Sequence, residues 1–150
     1  MNKIHTNPYR ISGILSNATA REVQRQKGKI KAFASAKKEI TSEFDFNFLN
    51  KIDRTEDIIG KAFSNIEQNQ DKVNNSLFWF VNANPFDNTA IDYLKNGNSE
   101  KAQEIWSKVT NEKDVNSTNF SAFNNIGTLK LLSNSKSEIK EGIEAKIKLI

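Results

Sequence analysis

Apolar residues recur at spacings of three and four over most of the chain, the period of helices with one buried face, and polar breaks divide the pattern into segments. A short helix is predicted over Pro8 to Ile14, ending at Gly13 and the polar Ser16-Asn17. A longer one runs from Thr19 to about Lys38. Asn17 or Thr19 caps it, and Glu22 stands three residues after Thr19, where the two residues satisfy each other's backbone N–H groups. Its apolar positions (Val23, Ile30, Phe33 and Ala34) make only a narrow stripe, and Gly28 inside it costs about 1 kcal/mol relative to Ala. From Ile40 to Asp53 the period is lost. There the crowded Phe44, Phe46, Phe48 and Leu49 predict a loop or helical turn pinned to the core.

The next helix opens at Arg54 or Thr55, with Asp53 or Thr55 as cap and Glu56 and Asp57 in its first turn. Ile58, Ile59, Ala62, Phe63, Ile66 and Val73 line its inner face, and Leu77 to Val81 end it or bend its continuation. Asn84-Pro85 is a stop, because a residue before Pro avoids the helical region. Asp87 or Asn88 then caps Thr89 to Lys95, Asn96-Gly97-Asn98 turns, and Ser99 caps Glu100 to Val109. A polar loop, Asn111 to Asn119, precedes two last helices, Phe120 to Leu132 and Ser137 to Ile150. Ala145 to Ile150 still read as helix with no C-cap, so the whole protein is expected to be longer. The chain reads as all-α.

Composition narrows the chemistry. The 150 residues fit one domain or two small helical modules, and ten Phe and two Trp supply large side chains to bury. Without Cys and with one His, His5, the chain has no disulfide scaffold, thiol nucleophile, Cys- or His-based metal site or Ser-His-Asp triad. Acidic neighbours such as Glu43/Asp45 and Glu56/Asp57 read as solvated faces, and no Gly-rich phosphate loop occurs. The excess of Asn reads as genome bias. A non-enzymatic protein without metal or cofactor is expected. The N-terminus lacks the apolar core of a secretory signal, and the longest apolar run, Leu77 to Val81, is far too short to span a bilayer. A cytoplasmic protein without membrane contact is the default.

Charge is uneven. Residues 1–38 carry nine Lys or Arg against the single acid Glu22, a net of +8, while the other 112 residues carry 13 basic and 17 acidic side chains, a net of −4. Arg21, Arg25 and Lys29 fall four residues apart on one helix face, with Lys31 close by, and are the candidate partner-binding residues. Such a face is a solvated surface, a docking surface for an acidic protein, or a phosphate contact for nucleic acid. No aromatic interleaving supports base stacking.

The first eighty residues resemble a J-domain, the helical co-chaperone module. Asn7-Pro8-Tyr9-Arg10-Ile11-Ser12-Gly13-Ile14 is similar to the family's first helix, Asn17-Ala18-Thr19 and the basic stretch after it to the second, and Ile59-Gly60-Lys61-Ala62-Phe63-Ser64-Asn65-Ile66 to the third. J-domains activate seventy-kilodalton heat-shock ATPases through a His-Pro-Asp tripeptide after the second helix. Here that place falls near Ser35-Ala36-Lys37, and the tripeptide occurs nowhere in the chain. The resemblance therefore implies docking on a chaperone's acidic surface through the basic helix, without activation of its ATPase. The stretch from Ile40 to Asp53 takes the place of the loop between the second and third helices.

Residues 83–116 resemble one tetratricopeptide repeat, a helix–turn–helix unit of 34 residues, through Phe86, Ala90, Tyr93, Gly97, Ala102, Trp106 and Val109. Thr89 departs from the usual aliphatic residue, and no Pro closes the unit. Asn125 to Leu129 and Ser137 to Ile150 resemble a poorer second repeat. The expectation is a J-domain-like module over residues 1–82 packed on tetratricopeptide-like helices over residues 83–150. It implies an adaptor for a protein partner, a heat-shock chaperone or a client, with nucleic acid as the alternative.

Overall fold

The computed structural model describes residues 2–150, which form nine helices: α1 (Asn2–His5), α2 (Pro8–Ser12), α3 (Ala20–Ser35), α4 (Glu56–Ser64), α5 (Asn69–Ser76), α6 (Pro85–Lys95), α7 (Ser99–Thr110), α8 (Phe120–Leu131) and α9 (Lys136–Ile147). The fold is all-α, with no strand among the described residues.

Local chemistry sets most boundaries. Pro8 opens α2 with its fixed φ, the Asn7 side chain accepts from the Tyr9 N–H, and Gly13 ends the helix at φ 77°, a left-handed conformation that favours glycine. Thr19 and Glu22 form the expected reciprocal cap on α3. The single helix expected from Arg54 onward is instead two. α4 stops at Ser64, Asn65 turns the chain so that Ile66 reaches the core, and α5 follows with no buried residue of its own. Val73, expected on an inner face, is consequently 58% exposed. α6 starts earlier than expected: Asn84 is its cap, and Asp87 sits one turn in, accepting from the Asn84 and Ala83 N–H groups at 2.9 and 3.1 Å.

One hydrophobic cluster runs the length of the chain, from Ile4, Tyr9, Ile14 and Leu15 through Phe46, Trp79 and Phe80 to Leu94, Trp106, Ile126 and Leu131. Trp79, Phe80 and Trp106 have no exposed surface, and their rings adjoin at centroid distances of 5.2 and 6.1 Å. α6 packs on α7, α7 on α8 and α8 on α9. α8 is the most deeply buried helix, covered from Ser121 to Leu129. It lies close to α9 where two glycines face each other, since a Cβ on Gly142 would stand 3.0 Å from the Gly127 carbonyl oxygen.

Segment 77–83 is non-helical for most of its length and deeply placed, so its peptide groups need partners. Asparagines supply them. The Asn125 amide donates to the Val81 carbonyl at 2.8 Å and accepts from its N–H at 2.9 Å; Asn17 treats Asn82 in the same way at 2.7 and 3.0 Å. Asn124 donates to the Trp79 carbonyl and Asn7 to that of Phe78, at 2.9 and 3.2 Å.

α3 touches this body through the half-buried Val23. Ile30 is its only buried residue, and it meets Ile40 and Ile59 in a small second cluster edged by Phe33, Ala34 and Phe63.

Candidate functional site

α3 presents its charge because little else competes for it. Its narrow apolar stripe is used up by Val23 against the main core and by Ile30 and Phe33 against α4, so the polar faces stay in solvent. The helix's one acid is occupied: Glu22 accepts from the Thr19 N–H at 2.7 Å and from the Thr19 hydroxyl at 3.0 Å. The backbone hydrogen bond from Thr19 is the main cause holding the Glu22 carboxyl below its ordinary pKa, so it stays ionised and engaged.

Arg25 adds a smaller electrostatic contribution to that shift without forming an ion pair. Among the described residues, none of Arg21, Arg25, Lys27, Lys29 and Lys31 lies within 4.0 Å of a carboxylate oxygen. Two lean on rings instead, Lys27 at 4.8 Å from the centre of Phe63 and Lys29 at 5.4 Å from Phe33. At 100° per residue, Arg21, Arg25 and Lys29 fall within about 80° of one another, whereas Lys31 lies roughly 160° round from Lys29. Lys31 is exposed but does not share their face.

Grooves flank the helix on both sides. One, of about 320 Å3, separates α3 from the turns at 13–19 and 43–44; Glu22, Arg25, Gln26 and Lys29 form its helix wall, and Glu43 stands on the other side. The other, of about 490 Å3, separates α3 from α4 and α5 and holds Lys27 beside Val23, Phe63 and Ile66. Arg21 and Lys31 line neither. Past Ser35 the chain turns at Ala36 and Lys37, whose φ of 54° closes the helix.

Not every N-terminal cation belongs to this surface. Arg10 is 4% exposed and spends its guanidinium on backbone carbonyls, those of His5 at 2.7 Å and of Asn50. Beside it, Arg54 fixes segment 40–53. Its Nε donates to the Ile11 carbonyl, its Nη atoms reach the Ile40 and Arg10 carbonyls, and both Nη atoms hold the Asp45 carboxylate at 2.7 Å. Burial pushes the Asp45 carboxyl upward. Hydrogen bonds from Arg54 and the Ser42 N–H, with the charges of Arg54 and Arg10, outweigh this and bring its pKa below the ordinary value. Asp45 is thus a structural anchor, where its sequence position beside Glu43 suggested a solvated acid. Nothing in the spacing of residues 10, 45 and 54 signals this association.

No protein-family profile, curated protein or solved structure matches the chain. The described residues hold no group of three or more His, Asp or Glu side chains placed to bind a metal ion. None of their helices is long and apolar enough to cross a membrane.

Proposed function

We propose that the chain is a protein–protein adaptor that docks an acidic surface of a partner on α3, in the manner of a J-domain-like co-chaperone without the activating tripeptide. One observation carries the reading: Arg21, Arg25 and Lys29 share a face of a helix that has a single buried residue and a single acid, Glu22, and none of the three lies within 4.0 Å of a carboxylate oxygen. Cations left unpaired on a rigid helix steer an acidic partner and set its register. The partner class that fits is a seventy-kilodalton heat-shock chaperone, held without triggering hydrolysis, or one of its clients. The tetratricopeptide-like pairs α6–α7 and α8–α9 form the second part of the adaptor.

The test uses a purified heat-shock chaperone of this class and the full chain. The wild type binds the chaperone and leaves its ATPase rate unchanged, while the triple variant R21E/R25E/K29E keeps its helicity and loses binding by at least about tenfold. Equal binding by wild type and triple variant refutes the docking face. A rise in ATPase rate refutes the loss of activation. Affinity for nucleic acid alone, falling steeply with salt, replaces the protein partner with a phosphate backbone.

A further inference from the structure

α9 inverts the usual pattern of a surface helix: it buries Gly142 and Lys146 and leaves Ile143 and Ile147 exposed. α8 makes room for the lysine, since a Cβ on Gly127 would stand 3.0 Å from the Lys146 Cε. Among the described residues, no carboxylate oxygen lies within 4.0 Å of the Lys146 ammonium. α8 and residues 76–79 contain no acid, and the three acids of α9 have other partners: Glu138 meets Ser133, Glu141 meets Lys130 and Glu144 meets Lys140. Burial also holds the Lys146 pKa well below the ordinary lysine value, a penalty that an apolar side chain here would not carry.

What the lysine supplies is direction. An ammonium only donates, and Lys146 Nζ has an oxygen for each of its hydrogens: the Asn124 carbonyl at 2.6 Å, the Asn124 Oδ1 at 2.8 Å and the Thr128 Oγ1 at 2.8 Å. Thr128 gives its own hydrogen to the Asn124 carbonyl, so its oxygen is left to accept. With Oδ1 taken by Lys146, the Asn124 Nδ2 points the other way. There it donates to the Ser76 carbonyl at 3.2 Å and to the Trp79 carbonyl at 2.9 Å. A reversed amide would set its NH2 group against the ammonium and its oxygen against two carbonyls. Lys146 and the segment that carries Trp79 into the core are therefore joined through one side chain of fixed polarity.

We propose that α9 is a strap that sets segment 76–79 at a distance, with Lys146 as the positioning residue and the Asn124 amide as the link. Seating α9 gives Asn124 its donor, and the oriented amide then holds the segment; by linkage, a segment held in place favours a seated α9. A methionine in place of Lys146 fills similar space without the charge. It leaves the Asn124 Oδ1 buried without a donor, which is relieved only when the amide swings away from the Ser76 and Trp79 carbonyls. The strap then stays on α8 while its hold on the segment is lost. An aspartate in place of Asn124 does the reverse at the two ends of the link: it gives Lys146 a charged partner and removes the donor to the segment.

Amide hydrogen exchange followed by NMR on the full chain at neutral pH tests this with the variants K146M and N124D. The amides of Leu77, Phe78 and Trp79, each bonded within its own turn, report on the segment; those of Ile143 to Ile147 report on α9, and those of α4 on the fold as a whole. K146M is expected to lower protection over the segment by about tenfold and to keep α9 within about threefold of wild type. N124D is expected to lower the segment by about tenfold as well, with α9 protected at least as strongly as in wild type. Either variant decides the matter if the other fails to fold. Segment protection within about twofold of wild type in K146M or in N124D overturns the link. A loss in K146M confined to α9, or a loosened α9 in N124D, makes Lys146 a local contact of its own helix and overturns it too. A fall of equal size in α4 is a loss of the whole fold and overturns the coupling between strap and segment.

Discussion

The chain's four arginines stand in two regions with opposite surroundings. On α3, Arg21 and Arg25 are exposed and have no carboxylate within ion-pair distance. In the knot that joins α2 to segment 40–53, Arg10 and Arg54 are 4% and 9% exposed, and between them they bind five backbone carbonyls, from α1, α2 and segment 40–53, and one carboxylate. The same side chain is a structural bolt in one place and an open contact in the other. What separates them is the supply of acceptors. Where the chain leaves loop carbonyls buried, guanidinium groups satisfy them; where a regular helix satisfies its own, the charge is left for a partner.

The comparison breaks most visibly in stability. Arg54→Ala takes a donor from the Ile11, Ile40 and Arg10 carbonyls and leaves the Asp45 carboxylate with the Ser42 N–H but without its guanidinium, and is expected to cost about 3–5 kcal/mol in urea unfolding. Asn125→Ala removes both bonds to Val81 and a donor to Asp87, and should cost about 1–3 kcal/mol by the same measurement. Acid sharpens the contrast. The folded pKa of Asp45 lies below its unfolded value near 3.9, so its contribution is complete above that pH and disappears as pH falls through the folded value. Stability curves of wild type and Asp45→Asn are therefore separated at neutral pH and converge below about pH 4. The smallest effect belongs to R21A/R25A, expected to stay within about 0.5 kcal/mol of wild type. A loss near that of Arg54→Ala would mean that α3's arginines also hold the fold.

Sequence reads one of these regions far better than the other, for a physical reason. The signals that bound α2 and α3 are local: Pro8, Gly13 and the Thr19–Glu22 pair act within one turn, and the narrow stripe of Val23, Ile30 and Phe33 already implies a helix open to solvent. The arginine knot depends on contacts such as Arg54 to the Arg10 carbonyl, 44 residues apart, and charge counting places Arg10 with the surface cations it does not join. The asparagines mislead in the same way. An excess that reads as genome bias includes Asn7, Asn17, Asn124 and Asn125, each bonded to the backbone of segment 75–82. The break between α4 and α5 carries no Gly or Pro, so the helical period runs straight across it. Of the candidate residues, Arg21, Arg25 and Lys29 come together as helical spacing requires and Lys31 does not. The groove beside them needs Glu43 and Phe44, whose position depends on the knot.

The most direct test of the docking face is an amide NMR map of the labelled chain titrated with the purified heat-shock chaperone. The account predicts that signals broaden first over residues 19–31 and 42–44, with α8 and α9 unaffected. Broadening centred on α8 and α9, with α3 unchanged, would contradict it.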